Sequence, residues 1–219
     1  MAHRRIGSRT AGRTSGVNGH TLPRLVVLIS GGGSNLQALL DAAADGRLPA
    51  KVVAVISNRP GAYGLERARQ AGVPALVLPK AAALDRRAYD LALGDLVARF
   101  EPDWVVLAGW MRLLSSGFLS RFPNRVINLH PALPGQFPGT HAIERALSAY
   151  QARAITHTGV MVHLVPDEGI DTGPVLGQVV VPILPDDTLD SLETRMHAAE
   201  HRLLVATVAR VVGSAQTVS

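Results

Sequence analysis

Short apolar runs recur along the chain, and between them apolar residues fall at helical spacing. RLVVLIS at 24–30 and KVVAVIS at 51–57 are continuous and rich in β-branched residues, as strands buried on both faces should be. DWVVLA at 103–108 and RVINLH at 125–130 read the same way, and Ala75 to Leu78 is a shorter strand. Leu36, Leu39, Leu40 and Ala43 share one helical face before Gly46. Leu65 to Ala71 predicts a short helix closed by Gly72, Asp85 an N-cap for a helix reaching Phe100, and Ser115 or Ser116 the cap of another. Helices are also expected from His141 to Tyr150 and from Thr188 to Val212. Arg153 to Val165 and Gly173 to Val181 read as longer strands joined by PDEGIDTG, which predicts an antiparallel pair at one sheet edge.

Strand alternating with helix is the pattern of an α/β fold: a doubly wound, mostly parallel, Rossmann-like sheet with right-handed crossovers and a long C-terminal helix. The expected organisation is one domain over 24–219 behind a tail, 1–23, with no internal repeat.

Composition narrows the function. With 47% hydrophobic and 18% charged residues over 219 positions, the chain can bury one sizeable core. No apolar run approaches the roughly 20 residues of a membrane helix. The chain has no cysteine, so disulfides, thiolate nucleophiles and Cys-ligated zinc are excluded, and a cytoplasmic setting is expected. The net charge of +5 belongs mainly to the tail: without Arg4, Arg5, Arg9 and Arg13 the chain carries 18 basic against 17 acidic residues. A nucleic-acid footprint is therefore not expected. The tail is rich in Gly, Ser, Thr and Arg, lacks the apolar region of a signal peptide, and is expected to be disordered.

The chemistry gathers in RVINLHPALPGQFPGTH, 125–141. Asn128 and His130 are two apart, so on a strand they point the same way. They stand at the strand's C-terminal end, where open α/β sheets bind ligands. A strand that merely finishes in polar residues would look similar. Gly31, Gly32, Gly33, Ser34 and Asn35 link the first strand to the first helix, a place where backbone amides favour an anion. The dinucleotide fingerprint fails because Leu36 occupies its third glycine position, and no Gly-Lys-Ser/Thr is present. A single phosphate group on a small substrate is what remains. His130, His141, His157 and His163 lack metal-site spacing, so no metal is expected. Ser34 fails the serine-hydrolase pattern because Leu36 replaces its second glycine. Asp171, in the turn-rich segment between the last two strands, is either a solvent-facing turn acid or a partner for His130; spacing leaves both open. Near that histidine it would favour the cation.

The segments VVLISGGGSNL, LAGWMRLL, INLHPALPGQFPGTH and DEGIDTGP together resemble phosphoribosylglycinamide formyltransferase, from about Arg24 to the end of the last helix. The resemblance implies transfer of the formyl group of 10-formyltetrahydrofolate to the amine of glycinamide ribonucleotide, with small-molecule substrates only, no nucleic acid, no membrane, no metal, and a monomer or homodimer. It implies Asn128, His130 and Asp171 as catalytic residues and Gly33, Ser34 and Asn35 as the phosphate loop. Glu200 would contact the ribonucleotide. Met111, Arg112 and Leu113, with Val165, Asp167 and Gly169 of the following loop, would line the folate pocket. Arg86 falls at a position associated with the folate's glutamate tail or the substrate phosphate. In the implied mechanism Asn128 and a cationic His130 stabilise an oxyanion, and Asp171 holds that charge and relays a proton.

Three departures from the family pattern stand out. Pro134 and Gly135 replace a Leu-Pro pair downstream of His130, Trp110 stands where Phe is usual, and Gly32 stands where Asn or Thr is common. The nearest alternative is hydrolysis by a formyltetrahydrofolate deformylase, whose family adds an N-terminal regulatory domain. Methionyl-tRNA and sugar formyltransferases share N-x-H…D but differ after the His and add a C-terminal domain.

Overall fold

The computed structural model describes residues 22–79 and 85–216, so the expectation of a disordered tail lies outside the described residues apart from Leu22 and Pro23. One seven-stranded sheet organises the molecule. Its strands are β1 (Arg24–Ile29), β2 (Lys51–Ser57), β3 (Ala75–Val77), β4 (Trp104–Leu107), β5 (Val126–His130), β6 (His157–Leu164) and β7 (Val175–Pro182). The spatial order is β3-β2-β1-β4-β5-β6-β7. The first five are parallel, and β6 and β7 run antiparallel at one edge. The helices are α1 (Ser34–Ala44), α2 (Gly64–Gln70), α3 (Arg86–Ala98), α4 (Ser116–Leu119), α5 (Ala142–Gln151) and α6 (Leu189–Gln216).

Strand alternation builds two cores from one sheet. In β1, Leu25, Val27 and Ile29 pack on the face covered by α1, α2, α5 and α6, while Val26 and Leu28 pack on the face covered by α3 and α4. Burial on both faces is why these strands read as unbroken apolar runs. In β2 the pairing register slips opposite Leu25 and Val26. Val53 and Ala54 consequently both face the second core, as a β-bulge allows.

The expected elements match the structure closely, with two shifts of similar size. The last helix, expected to end at Val212, runs on to Gln216. The strand expected from Arg153 begins at His157. Arg153 is held at φ 60 in the turn that ends α5, where its amide donates to the Tyr150 carbonyl. Asp85 caps α3 as expected, accepting from the Ala88 amide at 2.7 Å.

The long helix is anchored at its start. Arg195 makes a two-pronged bond to Asp187, at 2.6 and 2.8 Å, and Asp187 also accepts from the Leu184 amide. Thr188 and Ser191 exchange side-chain-to-amide bonds across the first turn. The guanidinium of Arg195 is the main reason that the Asp187 carboxyl is held well below the usual carboxylate range. A depressed pKa stabilises the fold above the unfolded value, near 3.9, and that stabilisation fades as pH falls through the folded value. Asp187→Asn is expected to lower stability by roughly 2 kcal/mol at pH 7. In urea titrations its deficit against the parent protein should shrink as the pH falls below about 4.

Candidate active site

After β1 the chain moves outward through β2 and β3, then returns to lay β4 against the other side of β1. This reversal opens a crevice at the C-terminal ends of β1 and β4, the usual ligand position in such sheets. The crevice is tied together by Ser30. Its amide donates to the Gly109 carbonyl, its hydroxyl donates to Asn58, and the same hydroxyl accepts from the Met111 amide, all within 3.0 Å.

Next to this crevice is a cavity of about 820 Å³ whose lining includes Asn128, His130, His163 and Asp171. Val126, Asn128 and His130 are in phase on β5, and Val126 packs in the second core, so the two polar residues open on the side of the sheet that carries α3 and α4. Asn128 Nδ2 donates to Asp171 Oδ1 at 3.1 Å and lies 3.1 Å from His163 Nε2. His130 Nδ1 is 3.3 Å from Asp171 Oδ2, and its Nε2 donates to the Phe137 carbonyl at 3.0 Å. The Gly139 amide donates to Asp171 Oδ2 at 2.8 Å. Asp171 is thus a buried carboxylate shared by the residues around it, not a solvent-facing turn acid.

Burial is the largest influence on both titrating groups, but it does not prevail in both. It pushes the Asp171 carboxyl up; bonds from His163 and the Gly139 amide, with the nearby histidine charges, together outweigh it and leave the carboxyl below its usual range. For His130, burial wins. Asp171 and the Phe137 carbonyl favour the cation, as expected, yet the imidazole stays below its ordinary pKa. Both ring nitrogens nevertheless face acceptors, a geometry that suits the protonated ring once charge develops nearby.

Pro134 and Gly135, the departure from the family pattern, form a tight turn. The Gln136 amide donates to the Leu133 carbonyl at 3.0 Å, with Pro second and Gly third at φ 77, the arrangement of a type II turn. The turn returns the chain so that Phe137, Gly139 and His141 border the site. Phe137, His141 and Asp171 hold left-handed φ values of 45, 56 and 54. Such conformations persist where surrounding bonds enforce them, and they cluster at functional sites.

The glycine loop lies at the other side of the crevice. Gly33 sits at φ 72 ahead of α1, and a Cβ there would come 2.7 Å from the Gly64 Cα, so glycine is required on both counts. The Gly31 carbonyl accepts from the Gly64 amide and the Gly32 carbonyl from Arg67 Nε. With these carbonyls tied back, the first amides of α1, at Ser34 and Asn35, are left for an anion. Asn35 donates to Glu200 of α6 at 2.7 Å, joining two expected ribonucleotide residues. The buried Asn35 Oδ1 has no partner among the described residues.

Of the residues expected to meet folate, Met111, Arg112, Leu113, Val165, Asp167 and Gly169 all line the cavity. Arg112 stacks on the Tyr89 ring at 4.6 Å. Its buried Nε has no partner among the described residues. Arg86 does not line the cavity; it pairs with Glu168, which also accepts from the Ser116 amide and so ties the 165–171 loop to α4. A second cavity, of about 750 Å³, opens beside the N-terminal ends of β1 and β2, away from these groups.

His163 is the residue that sequence reasoning missed as a member of this group. It sits opposite Asn128 in the β5–β6 register, 3.5 Å from Asp171, and its Nδ1 bonds the Leu164 carbonyl. Only the antiparallel register, invisible in residue spacing, brings it there.

Residues 23–208 match the formyl transferase family model. A phosphoribosylglycinamide formyltransferase of Schizosaccharomyces pombe is 46% identical over 200 residues, covering 86% of this chain and 96% of that protein. One of Mycobacterium tuberculosis is 48% identical over 195 residues, covering 89% and 87%. The crystal structure of glycinamide ribonucleotide transformylase 1 from Symbiobacterium toebii superposes with a TM-score of 0.84 at 42% identity, covering 93% of this chain and 94% of that one. The chain therefore belongs to the formyl transferase family and, within it, to the phosphoribosylglycinamide formyltransferases.

The balance at His130 can be read directly. Its imidazole should titrate below about 6.5 in NMR, and Asp171→Asn should lower that midpoint further by removing the neighbouring charge that favours the cation. A midpoint at or above the ordinary histidine value in the parent protein would contradict burial as the dominant influence.

Proposed function

We propose that this enzyme transfers the formyl group of 10-formyltetrahydrofolate to the amine of glycinamide ribonucleotide in purine biosynthesis. The observation that carries the reading is the buried Asp171 carboxylate joined to Asn128, His130 and His163 on the wall of the large cavity. The amine nitrogen forms a bond to the formyl carbon, and the bond from that carbon to the folate nitrogen breaks. Between those events the formyl oxygen carries negative charge. Asn128 exchanges one of its present amide contacts for that oxygen, and His130 becomes protonated as the oxyanion raises its affinity for a proton. Asp171, with a depressed pKa, remains the anion that orients the imidazole. The amine's proton passes by way of Asp171 to His130, and the imidazolium returns it to the departing folate nitrogen, so Asp171 is an anion before and after the transfer. No step draws on a metal.

The folate ring would occupy the cavity between Met111–Leu113 and the Val165–Asp171 loop, and the substrate phosphate the amides at Gly33 to Asn35, with Glu200 on the ribose. The buried Arg112 Nε–H, unpaired among the described residues, supports the folate placement, because a buried donor is costly unless an acceptor completes it. The Asn35 Oδ1 is an acceptor and would take a ribose hydroxyl, not the phosphate. Arg86, already paired with Glu168, would reach a folate carboxylate only by exchanging partners. A single domain over 24–219, a cytoplasmic setting, and a monomer or homodimer complete the reading; among the described residues no helix is long and apolar enough to cross a membrane. The transferase names of the relatives favour transfer over hydrolysis.

Folate absorbance followed with and without glycinamide ribonucleotide tests the reaction. Turnover that depends on the ribonucleotide is expected, and formate release at an equal rate without it would establish the hydrolase instead. Asn128→Ala, His130→Ala and Asp171→Ala should each reduce turnover at least about tenfold while the proteins stay folded. Near-normal turnover in Asp171→Ala would remove that residue from the mechanism.

A further inference from the structure

The His130 ring has two partners, and one of them is itself held. Arg145, on α5, donates from Nη2 to the Phe137 carbonyl at 2.6 Å and to the Pro138 carbonyl at 2.7 Å. Its guanidinium also lies 5.8 Å from the Phe137 ring centroid. The Phe137 carbonyl is the one that accepts from His130 Nε2. Two residues on, the Gly139 amide donates to Asp171. One guanidinium therefore clamps a three-residue strip that touches both catalytic side chains, and it does so where Phe137 is strained at φ 45. Arg145 does not line the cavity.

We propose that Arg145 is a positioning residue for the formyl transfer: it locks the 137–139 strip, so that the Phe137 carbonyl orients the His130 ring and the Gly139 amide holds Asp171. This rests on the catalytic reading of His130 and Asp171 given above. Both bonds leave the one nitrogen Nη2, whose two N–H groups can fix two carbonyls at once. A lysine ammonium can offer charge and N–H donors, but not the planar group that lies over the Phe137 ring. The groups facing His130 are Asp171 from the loop after β6, His163 from β6, and Arg145 from α5 acting through the Phe137 carbonyl. His141 and Glu144, paired at the head of α5, lie at the rim.

Without the guanidinium, three changes push His130 the same way. A nearby positive charge is lost, the Phe137 carbonyl becomes a better acceptor for the ring N–H, and a looser strip admits water. Each favours the imidazolium. The loosened geometry should also slow the chemical step, since small misplacements of reacting groups are costly.

The test compares Arg145→Ala and Arg145→Lys with the parent enzyme and with His130→Ala, using steady-state kinetics across pH and an NMR titration of His130. Arg145→Ala is expected to lower kcat roughly ten- to a hundredfold while both KM values change little. Its acid limb and the His130 midpoint should move up by about half a pH unit or more. Arg145→Lys should fold, recover part of kcat, and keep part of the shift. Parent-like kcat and acid limb in both variants, beside an inactive His130→Ala, would overturn the role of Arg145 and leave the catalytic reading intact. A lysine variant that is folded but matches the parent in its His130 midpoint while losing affinity for both substrates would also overturn it, since that is the mark of general loosening. Full activity in His130→Ala would overturn the catalytic reading itself.

Discussion

The site depends on one buried negative charge. A carboxylate withdrawn from water is expensive unless several donors reach it. Asp171 meets that requirement through Asn128, the Gly139 amide and the two histidines. Those groups come from β5, from the loop after it, and from β6. The carboxylate can be satisfied only if the β5–β6 register, the loop path and the φ 54 backbone at Asp171 are all correct together. The edge of the sheet is therefore more than a continuation of the fold. Its antiparallel strand delivers His163 opposite Asn128 and then turns back to deliver the acid.

The same arrangement sets two opposing influences on His130. Asp171 alone would draw a proton onto His130, and burial alone would exclude one. The structure balances the two, with burial ahead. The acceptors already at both ring nitrogens suit the protonated ring without rearrangement. Preorganisation of this kind is what makes electrostatic stabilisation effective in a dry site.

Much of the fold was readable because strands buried on both faces announce themselves as unbroken apolar runs, and because Asp85, Gly46 and Gly72 punctuate helices by well-understood backbone chemistry. The same period-two rule placed Asn128 and His130 on one face of β5. Three features escaped it for specific reasons. His163 joins the site through strand register, which residue spacing does not encode. Arg86 carries a free-looking charge in sequence, but its partner Glu168 lies in a loop 82 positions away. The path after His130 turns on Pro134-Gly135, whose type II geometry replaces the Leu-Pro of the family pattern.

The two halves of the proposed reaction occupy different sides of the sheet. The glycine loop feeds α1 and is joined to α6 by Asn35 and Glu200, on the face carrying the first core. The cavity opens toward α3 and α4, over the second. They meet only at the strand ends, where β1 and β4 part. A doubly wound sheet offers one such place, and Asn128 and His130 stand one strand away from it on β5. Two reactants held from opposite faces can present an amine and a formyl group to each other without sharing a binding surface. The chemistry then needs few protein groups, because most of what it requires is the meeting itself.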